Sequence, residues 1–348
     1  MNTIRNDNVE FFTVFNTVLA GVPSRSREII AKRFGIGEEA PLTLQAIGDE
    51  YDITRERVRQ IVQSGLRSVY NAGDNNNSEF VDARDIIVRH IEDNEGIITV
   101  DKIVLLGGDS RDEHGAIRFL IEGMNEVKAV SYKEYPVKSD VVALVDFDIK
   151  NWNQVHNTIK DILQIKEKTY TSERLYEKLE NDVVKCKQLE KYLEVSAEIE
   201  QNPFKKWGLK EWDEISPRGV REKALLIMKE SGEPMHFRKV AEMIDLHGLG
   251  KKGKKSHPQT VHNELIRDDN FVLVGRGVYT LNADNHIEGT VKDVIENILK
   301  KSNEPLTAEE VIERVLKMRH VQPTTVKANL NAVAKKLNKK YTLDTNAS

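Results

Sequence analysis

One charged octapeptide near the amino end carries side chains suited to contact with base pairs. It reads TRERVRQI over residues 54–61, and Thr54 is a favoured N-cap type for a helix that starts there. Val58, Ile61 and Leu66 fall roughly on one stripe at helical spacing, which predicts the face that packs inward. The outward side chains are of the types that pair with guanine, cytosine and adenine in the major groove: Arg55, Glu56, Arg57, Arg59 and Gln60. The alternative is a solvated charged face, because alternating charges are common on exposed helices.

The elements that would position this helix precede it directly. Thr43 leads into a short predicted helix over 44–51, and residues 52–54 then form a tight turn. Two helices joined by such a turn are the layout of a helix-turn-helix, in which the second helix enters the major groove. Further upstream, Ser24 or Ser26 is expected to cap another helix that Gly35 ends.

Residues 18–70 resemble region four of bacterial primary sigma factors, the domain that binds the −35 promoter element. The matching pieces are RFGI at 33–36, TL at 43–44, IG at 47–48, the octapeptide, and LR at 66–67. The resemblance implies that Arg55, Glu56 and Gln60 touch base edges. It also implies that the phosphate backbone is held by Thr43, Arg57 and Arg59.

The resemblance further implies RNA polymerase core as a partner, because the same domain in sigma factors grips the flap of the β subunit. Only about twenty residues precede the sigma-like stretch. We therefore expect no sigma region two, which captures and melts the −10 element.

Composition describes a folded protein with a polar surface. The 348 residues are 39% hydrophobic and 31% charged, which suggests two to four domains, or more if the modules are short. No apolar run approaches the length of a membrane span and no secretory signal is visible, so we expect a cytoplasmic protein without membrane contact. Cys186 is the one cysteine, which excludes an intrachain disulfide.

The net charge of −4 is unevenly distributed. Residues 74–214 hold 20 Lys and Arg against 30 Asp and Glu, whereas residues 22–70, 216–284 and 285–348 are each slightly basic. Because phosphate binding depends on the local sign of charge, the two ends are expected to contact double-stranded DNA. The acidic middle would act as a spacer or a protein-facing surface.

Beyond a turn-rich linker at 71–78, one pattern repeats every 65–72 residues: an amphipathic helix, a short second helix, a third helix and a β-hairpin. The predicted fold class is mostly α, a multi-domain array of helix-turn-helix and winged-helix modules with short β-hairpin wings. The predicted modules span 1–70, 79–148, 152–214, 216–284 and 286–345. In the last of these, Thr307 and Glu310 predict a capping box.

The fourth of these segments, 216–284, shows the pattern most clearly. Its characteristic sequence motifs are PMH at 234–236, TV at 260–261 with Leu265, and GVYTL at 277–281. On these residues it resembles the HARE-HTH module, a winged-helix family also found in the delta subunit of some bacterial RNA polymerases. The resemblance leaves two partners open, because some modules of this kind bind protein rather than DNA.

Several residues of this module suit DNA contact. The flexible loop around Gly253 carries four lysines that can follow a phosphate backbone without reading sequence: Lys251, Lys252, Lys254 and Lys255. Gln259 and Thr260 begin the third helix with hydrogen-bonding groups, and Arg276 lies at the tip of the predicted wing. A solvated loop that binds nothing is the alternative.

No motif for catalysis, for a cofactor or for a metal stands out. The three histidines at 247, 257 and 262 lack zinc spacing and an assisting cysteine, and residues 106–109 lack the lysine of a phosphate-binding loop. We therefore predict a non-enzymatic, sequence-specific DNA-binding regulator of transcription. The rivals are a delta-like polymerase accessory subunit that acts through protein contacts, and the DNA-sensing component of a defence or restriction system.

Overall fold

The computed structural model describes residues 9–74, 77–179, 186–281, 291–302, 304–318, 321–337 and 340–343. The chain divides into two compact units, one of residues 1–201 with 205–210 and the other of residues 202–204 with 211–348. Both consist of α-helices with small antiparallel sheets of two or three strands. The predicted fold class is thereby confirmed.

Unit 1 begins with four helices: α1 (Phe11–Val18), α2 (Ser24–Phe34), α3 (Leu44–Tyr51) and α4 (Arg55–Asp74). Gly35 ends α2 in the left-handed conformation with φ 79°, as predicted. The predicted serine cap of α2 is wrong, because Pro23 is the N-cap residue and no side chain caps the helix. The fixed φ of proline suits a residue that leads into a helix.

The next segment of unit 1 alternates helices with short strands. Its elements are α5 (Ser78–Asp93), β1 (Ile97–Thr99), α6 (Val100–Ile103), a 3₁₀ turn (Val104–Gly107), α7 (Arg111–Gly123), β2 (Val127–Ala129) and β3 (Val141–Leu144). β3 pairs antiparallel with both β1 and β2, so the last strand lies in the middle of the sheet.

One hydrophobic core joins these two segments. It includes buried residues from α1 through β3, and Phe119 of α7 lies at its centre. The Phe119 ring makes edge-to-face contacts with Phe15 of α1 and Phe34 of α2, at centroid distances of 5.0 and 5.3 Å. The linker predicted at 71–78 therefore separates elements that pack together.

The last segment of unit 1 contains α8 (Ile149–Lys166), α9 (Ser172–Lys178), α10 (Cys186–Glu194), β4 (Ile199–Gln201) and β5 (Trp207–Leu209). A bridge between Tyr170 and Trp207 takes the place of a first strand beside β5. The buried Trp152 indole donates to the backbone oxygen of Tyr192 at 3.0 Å, which fixes α8 against α10.

Unit 2 holds two segments of the same design, each with its own core. The first comprises α11 (Val220–Ser231), β6 (Met235–His236), α12 (Phe237–Leu246), α13 (Pro258–Arg267), β7 (Phe271–Gly275) and β8 (Val278–Leu281). The second comprises α14 (Val291–Lys301), β9 (Leu306–Thr307), α15 (Ala308–Met318), α16 (Pro323–Val333), β10 (Lys335–Leu337) and β11 (Lys340–Thr342). The predicted capping box is confirmed, because Glu310 and Thr307 each accept the backbone N–H of the other, at 2.7 and 3.3 Å.

All four helix-and-strand segments follow the winged-helix order of elements. In each of the three-stranded sheets the third strand lies between the first and the second. The five predicted module boundaries stay a prediction. In unit 1 the first helix-and-strand segment shares a core with α1–α4, whereas the two segments of unit 2 have separate cores.

Candidate nucleic-acid interface

The turn between α3 and α4 is shaped by three residues. The Thr43 hydroxyl oxygen accepts the Ala46 N–H at 3.1 Å and so caps α3. Asp52 ends α3 in the left-handed conformation, with φ 52°. A Cβ at Gly48 would lie 2.7 Å from the backbone oxygen of Ile53, so only glycine allows the chain to turn this closely. The predicted helix-turn-helix is present.

The first two turns of α4 present their polar side chains to solvent. The Thr54 hydroxyl accepts the Arg57 N–H at 3.1 Å and caps the helix, as predicted. Val58 is fully buried, and the flanking side chains are exposed: Arg55, Glu56, Arg57, Arg59 and Gln60. Every predicted contact residue of this helix is therefore exposed to solvent.

The exposed polar side chains of α4 pair with one another. Glu56 and Arg59 form two hydrogen bonds, at 2.6 and 2.9 Å, and Arg57 donates to the Gln60 side-chain oxygen at 3.2 Å. The hydrogen bonds from Arg59 lower the pKa of the Glu56 carboxyl, while the same contact raises the pKa of Arg59. Arg55 has no such hydrogen-bonded partner among the residues that the structure describes, so its guanidinium is already available.

The inward stripe of α4 differs from the predicted one. Val58 lies on it, but the stripe continues through Val62, Gly65 and Val69, while Ile61 and Leu66 are half-buried at its edges. This set follows the helical period from Val58, at intervals of four, three and four residues. The prediction missed the later positions because they face α7, a helix far along the chain.

Helix α7 fixes the second half of α4. A Cβ at Gly65 would lie 2.6 Å from the Cδ1 atom of Ile30 and 3.5 Å from the Phe119 ring, and a Cβ at Gly123 would lie 2.6 Å from the Cβ atom of Val69. Glycine thus permits close helix packing on both sides. The winged-helix segment of 77–144 therefore packs its third helix, α7, against the helix-turn-helix.

Two carboxylates of α7 accept hydrogen bonds from backbone N–H groups near the amino end of the chain, at the start of α1 and after α2. Glu113 accepts from Phe11 and Phe12 at the start of α1, at 2.7 and 3.1 Å. Asp112 accepts from Gly37 at 2.7 Å. A carboxylate at a helix amino end is favourable both as a hydrogen-bond acceptor and through the helix dipole.

A groove of about 460 Å³ runs along α4 on the side of Arg57 and Gln60. Its other walls include Pro23 and Ser26 at the start of α2 and Ser64 of α4. Ser26 and Ser64 were not among the predicted contact residues. Their spacing along the sequence carries no signal, since only the packing of α2 beside α4 brings them together.

The lysine loop of unit 2, residues 251–255, is anchored at its carboxyl end. Asp245 of α12 accepts the Ser256 backbone N–H at 2.9 and 3.0 Å and its hydroxyl at 2.6 Å. Lys251, Lys252, Lys254 and Lys255 are all exposed. The anchor holds the loop beside α12, so that its charges face solvent.

The third helix of this segment, α13, has a polar outward face. Gln259 and Thr260 are exposed, and Gln259 donates to the Asn263 side-chain oxygen at 3.2 Å. His262 packs on Phe237 at a centroid distance of 4.3 Å, which makes it part of the structure of the segment. Arg276 is exposed in the turn between β7 and β8.

Two stretches of the chain match known families. Residues 18–71 match the model of Sigma-70, region 4. Residues 219–283 match the model of HARE-HTH, whose description includes the restriction endonuclease HTH domain. Both are DNA-binding helix-turn-helix domains. Over these two stretches the chain carries helix-turn-helix domains of DNA-binding types.

Both predicted resemblances are confirmed, and DNA is the partner that both matched domains indicate. The matched domains are of DNA-binding rather than enzymatic types. Within the ranges that the structure describes, no three His, Cys, Asp or Glu side chains gather as a possible metal site. None of the helices described in the structure is long and apolar enough to cross a bilayer.

Proposed function

We propose that this protein binds double-stranded DNA in a sequence-specific manner and regulates transcription at promoter-like elements. Arg55, Glu56 and Gln60 would choose the bases, while Thr43, Thr54, Arg57 and Arg59 would hold the phosphates beside them. The observation that carries this proposal is the exposed polar face of α4 within a stretch that matches Sigma-70, region 4.

The lysine loop of unit 2 would add affinity without adding sequence choice. Four exposed lysines on a glycine-containing loop can displace counterions from DNA of any sequence. Gln259, Thr260 and Arg276 lie in the same winged-helix segment and would make further contacts. We propose this second surface as the source of non-specific binding.

Core RNA polymerase is the second partner that we propose, on the basis of the sigma-like match. Helix α7 covers apolar side chains of α1 and α2, with Phe119 packed between Phe15 and Phe34. A polymerase contact would therefore use the exposed polar surface of unit 1.

Selection of bound duplexes from a random DNA pool by the full-length protein, with and without core polymerase, tests the proposal. We expect one enriched element, and we expect the double variant Arg55→Ala with Gln60→Ala to lose the enrichment. Arg67→Ala, an exposed arginine farther along α4, is the control that should retain it. A pool without an enriched element, or enrichment that survives the double variant, would contradict the proposal.

A second candidate function is DNA sensing in a restriction or defence system. It is favoured by the description of the second matched family, which includes the restriction endonuclease HTH domain. Such a component would bind duplexes with a steep dependence on salt but without a promoter-like element. The same selection, followed by a salt titration on the recovered duplexes, separates the two functions.

A further inference from the structure

The carboxyl-terminal segment, residues 291–343, separates its charges by element. From Arg314 to Leu343 the sequence contains eight Lys and Arg residues and no Asp or Glu. The acidic residues of the segment lie earlier, with Glu309, Glu310 and Glu313 on α15. The third helix and the hairpin of this winged-helix segment, residues 323–342, therefore contain five lysines and no acidic residue.

The segment of unit 2 that matches HARE-HTH distributes its charge differently. Its third helix and hairpin, residues 258–281, contain three acidic residues, Glu264, Asp268 and Asp269, and only two basic ones. Its concentrated positive charge lies in the loop before α13. The carboxyl-terminal segment has no such lysine loop and concentrates its charge in the hairpin after α16.

The outward face of α16 is small and polar. Val326 and Leu330 are fully buried, and the opposite side exposes Thr324, Ala328 and Asn331. Short side chains allow a helix backbone to approach another surface closely, and threonine and asparagine can hydrogen-bond with base edges or phosphates. This face of α16 carries no large apolar side chain, so it suits neither a membrane nor an apolar protein partner.

The basic side chains flank this face. Lys327 is exposed on α16, and Lys335, Lys336 and Lys340 are exposed on the two strands of the hairpin. The hydroxyl of the buried Tyr341 donates to the Asn331 side-chain oxygen at 2.9 Å, which fixes the hairpin to the helix. Hydrogen bonds from Thr307 are the main cause that lowers the pKa of the Glu310 carboxyl, and the nearby Lys340 lowers it further, so the charge of Lys340 is partly offset.

We propose that α16 and the β10–β11 hairpin form a further site for double-stranded DNA, with the helix at the groove and the lysines on the phosphates. Its ligand is the duplex backbone, so the site adds affinity at any sequence. The site lies outside both matched stretches and outside the surfaces proposed above, and its existence does not depend on base reading by α4.

The test compares two triple variants of the full-length protein that remove the same charge. One is Lys327→Gln, Lys335→Gln, Lys336→Gln, and the matched control is Lys292→Gln, Lys300→Gln, Lys301→Gln, three exposed lysines of α14. Affinity for a random-sequence duplex is measured over a range of salt concentrations. We expect the first variant to reduce the slope of log affinity against log salt by about 0.9 for each phosphate that it no longer binds, and the control to match the wild type.

Other outcomes overturn the proposal. They are equal losses of affinity in the two triple variants, no loss in the first, or a loss seen with duplex RNA or phosphatidylserine vesicles but not with duplex DNA. A second variant, Ala328→Glu, places one negative charge on the exposed face of α16 and should also weaken duplex binding. Unchanged binding by that variant would contradict the placement of the helix at the groove.

The experiments distinguish failure of the α16 duplex site from failure of the proposed function. The triple variant should lower affinity for the selected and the random duplex equally and leave their ratio unchanged, whereas the α4 variants should change the ratio. If the α4 variants change the ratio but the α16 variants bind normally, the proposed function stands and the duplex site at α16 is excluded.

Discussion

The carboxylate of Glu56 and the guanidinium of Arg59 form a two-point ion pair across three positions of α4, with N–O distances of 2.6 and 2.9 Å. Both residues are proposed DNA contacts, so the face of the helix carries its own counter-charge in the absence of DNA. Binding to the selected element would exchange this pair for contacts with a base and a phosphate, whereas on random DNA, which offers Glu56 no matching base, the pair would persist. Because both side chains are solvent-exposed, the pair itself is expected to contribute little to folding stability.

Replacing Glu56 with Gln should increase binding to random DNA. The change removes a negative charge from the face and releases Arg59, which can then contact a phosphate. We expect a salt slope steeper by about 0.9, the value for one added phosphate contact. Glu92→Gln, at an exposed position of α5, removes the same charge away from the face and should leave the slope unchanged. Equal slopes for wild type and Glu56→Gln would show that Arg59 does not reach a phosphate.

Replacing Arg55 with Ala should relax sequence choice at one base position. Arginine contacts guanine through two hydrogen bonds, and their removal should cost about 1–3 kcal/mol of discrimination at that position. Competition binding with single-base variants of the selected duplex measures this cost, with Arg67→Ala as the control of equal charge. An unchanged ratio between selected and random duplexes would exclude a base-reading role for Arg55.

Replacing Lys251 and Lys252 with Gln should weaken binding equally for selected and random duplexes. The two lysines are proposed to contact phosphates, so the salt slope should become shallower by about 0.9 for each phosphate that is no longer bound. Lys229→Gln with Lys239→Gln removes the same charge from α11 and α12, where both lysines form ion pairs. If both double variants show the same affinity and the same salt slope, the lysine loop contributes only through the overall charge of the protein.

Replacing Gly115 with Ala should destabilise unit 1, although alanine is normally the better helix former by about 1 kcal/mol. The added Cβ would lie 2.8 Å from the Phe34 backbone oxygen and 2.6 Å from the Ile36 side chain. We expect a net loss of about 1–3 kcal/mol, the usual cost of overpacking. Chemical denaturation measures it. Gly21→Ala, where no atom lies within 4 Å of the new Cβ, should be tolerated.

Unit 1 should lose stability in mild acid because of His156. Burial lowers the pKa of this histidine below its ordinary value of 6.5. The Ser196 hydroxyl oxygen accepts the Glu198 and Ile199 N–H groups, so its own proton is directed to the His156 Nε2 atom, 2.9 Å away. The folded protein thus holds the neutral ring, while the unfolded chain binds a proton as the pH falls below about 6.5.

Denaturation curves between pH 8 and pH 5 test this pH dependence. The free energy of unfolding should decrease as the pH falls through 6.5 and should continue to decrease until the folded protein also takes up the proton. His156→Gln keeps a hydrogen-bonding side chain that does not titrate in this range. An equally steep decrease in that variant would assign the acid sensitivity to other groups.

Much of the α4 site was predictable because its signals are local. The two threonine caps, the small Gly48 at the turn, and the polar octapeptide lie within nineteen residues, and the structure contains the Thr54 cap as predicted. The two family resemblances extended this prediction to double-stranded DNA as the partner. The serine cap of α2 failed because proline at position 23 competes for the same boundary.

Local sequence therefore determined which helices form, where several of them begin, and which charges they carry, since capping and periodicity act over a few residues. Tertiary structure alone decided which of the winged-helix segments buries its third helix. Gly115, Phe119 and Gly123 place α7 in the core beside α4, while α16 keeps an exposed face. The physical reason is that close helix packing depends on the shapes of both surfaces, and those surfaces come from distant parts of the chain.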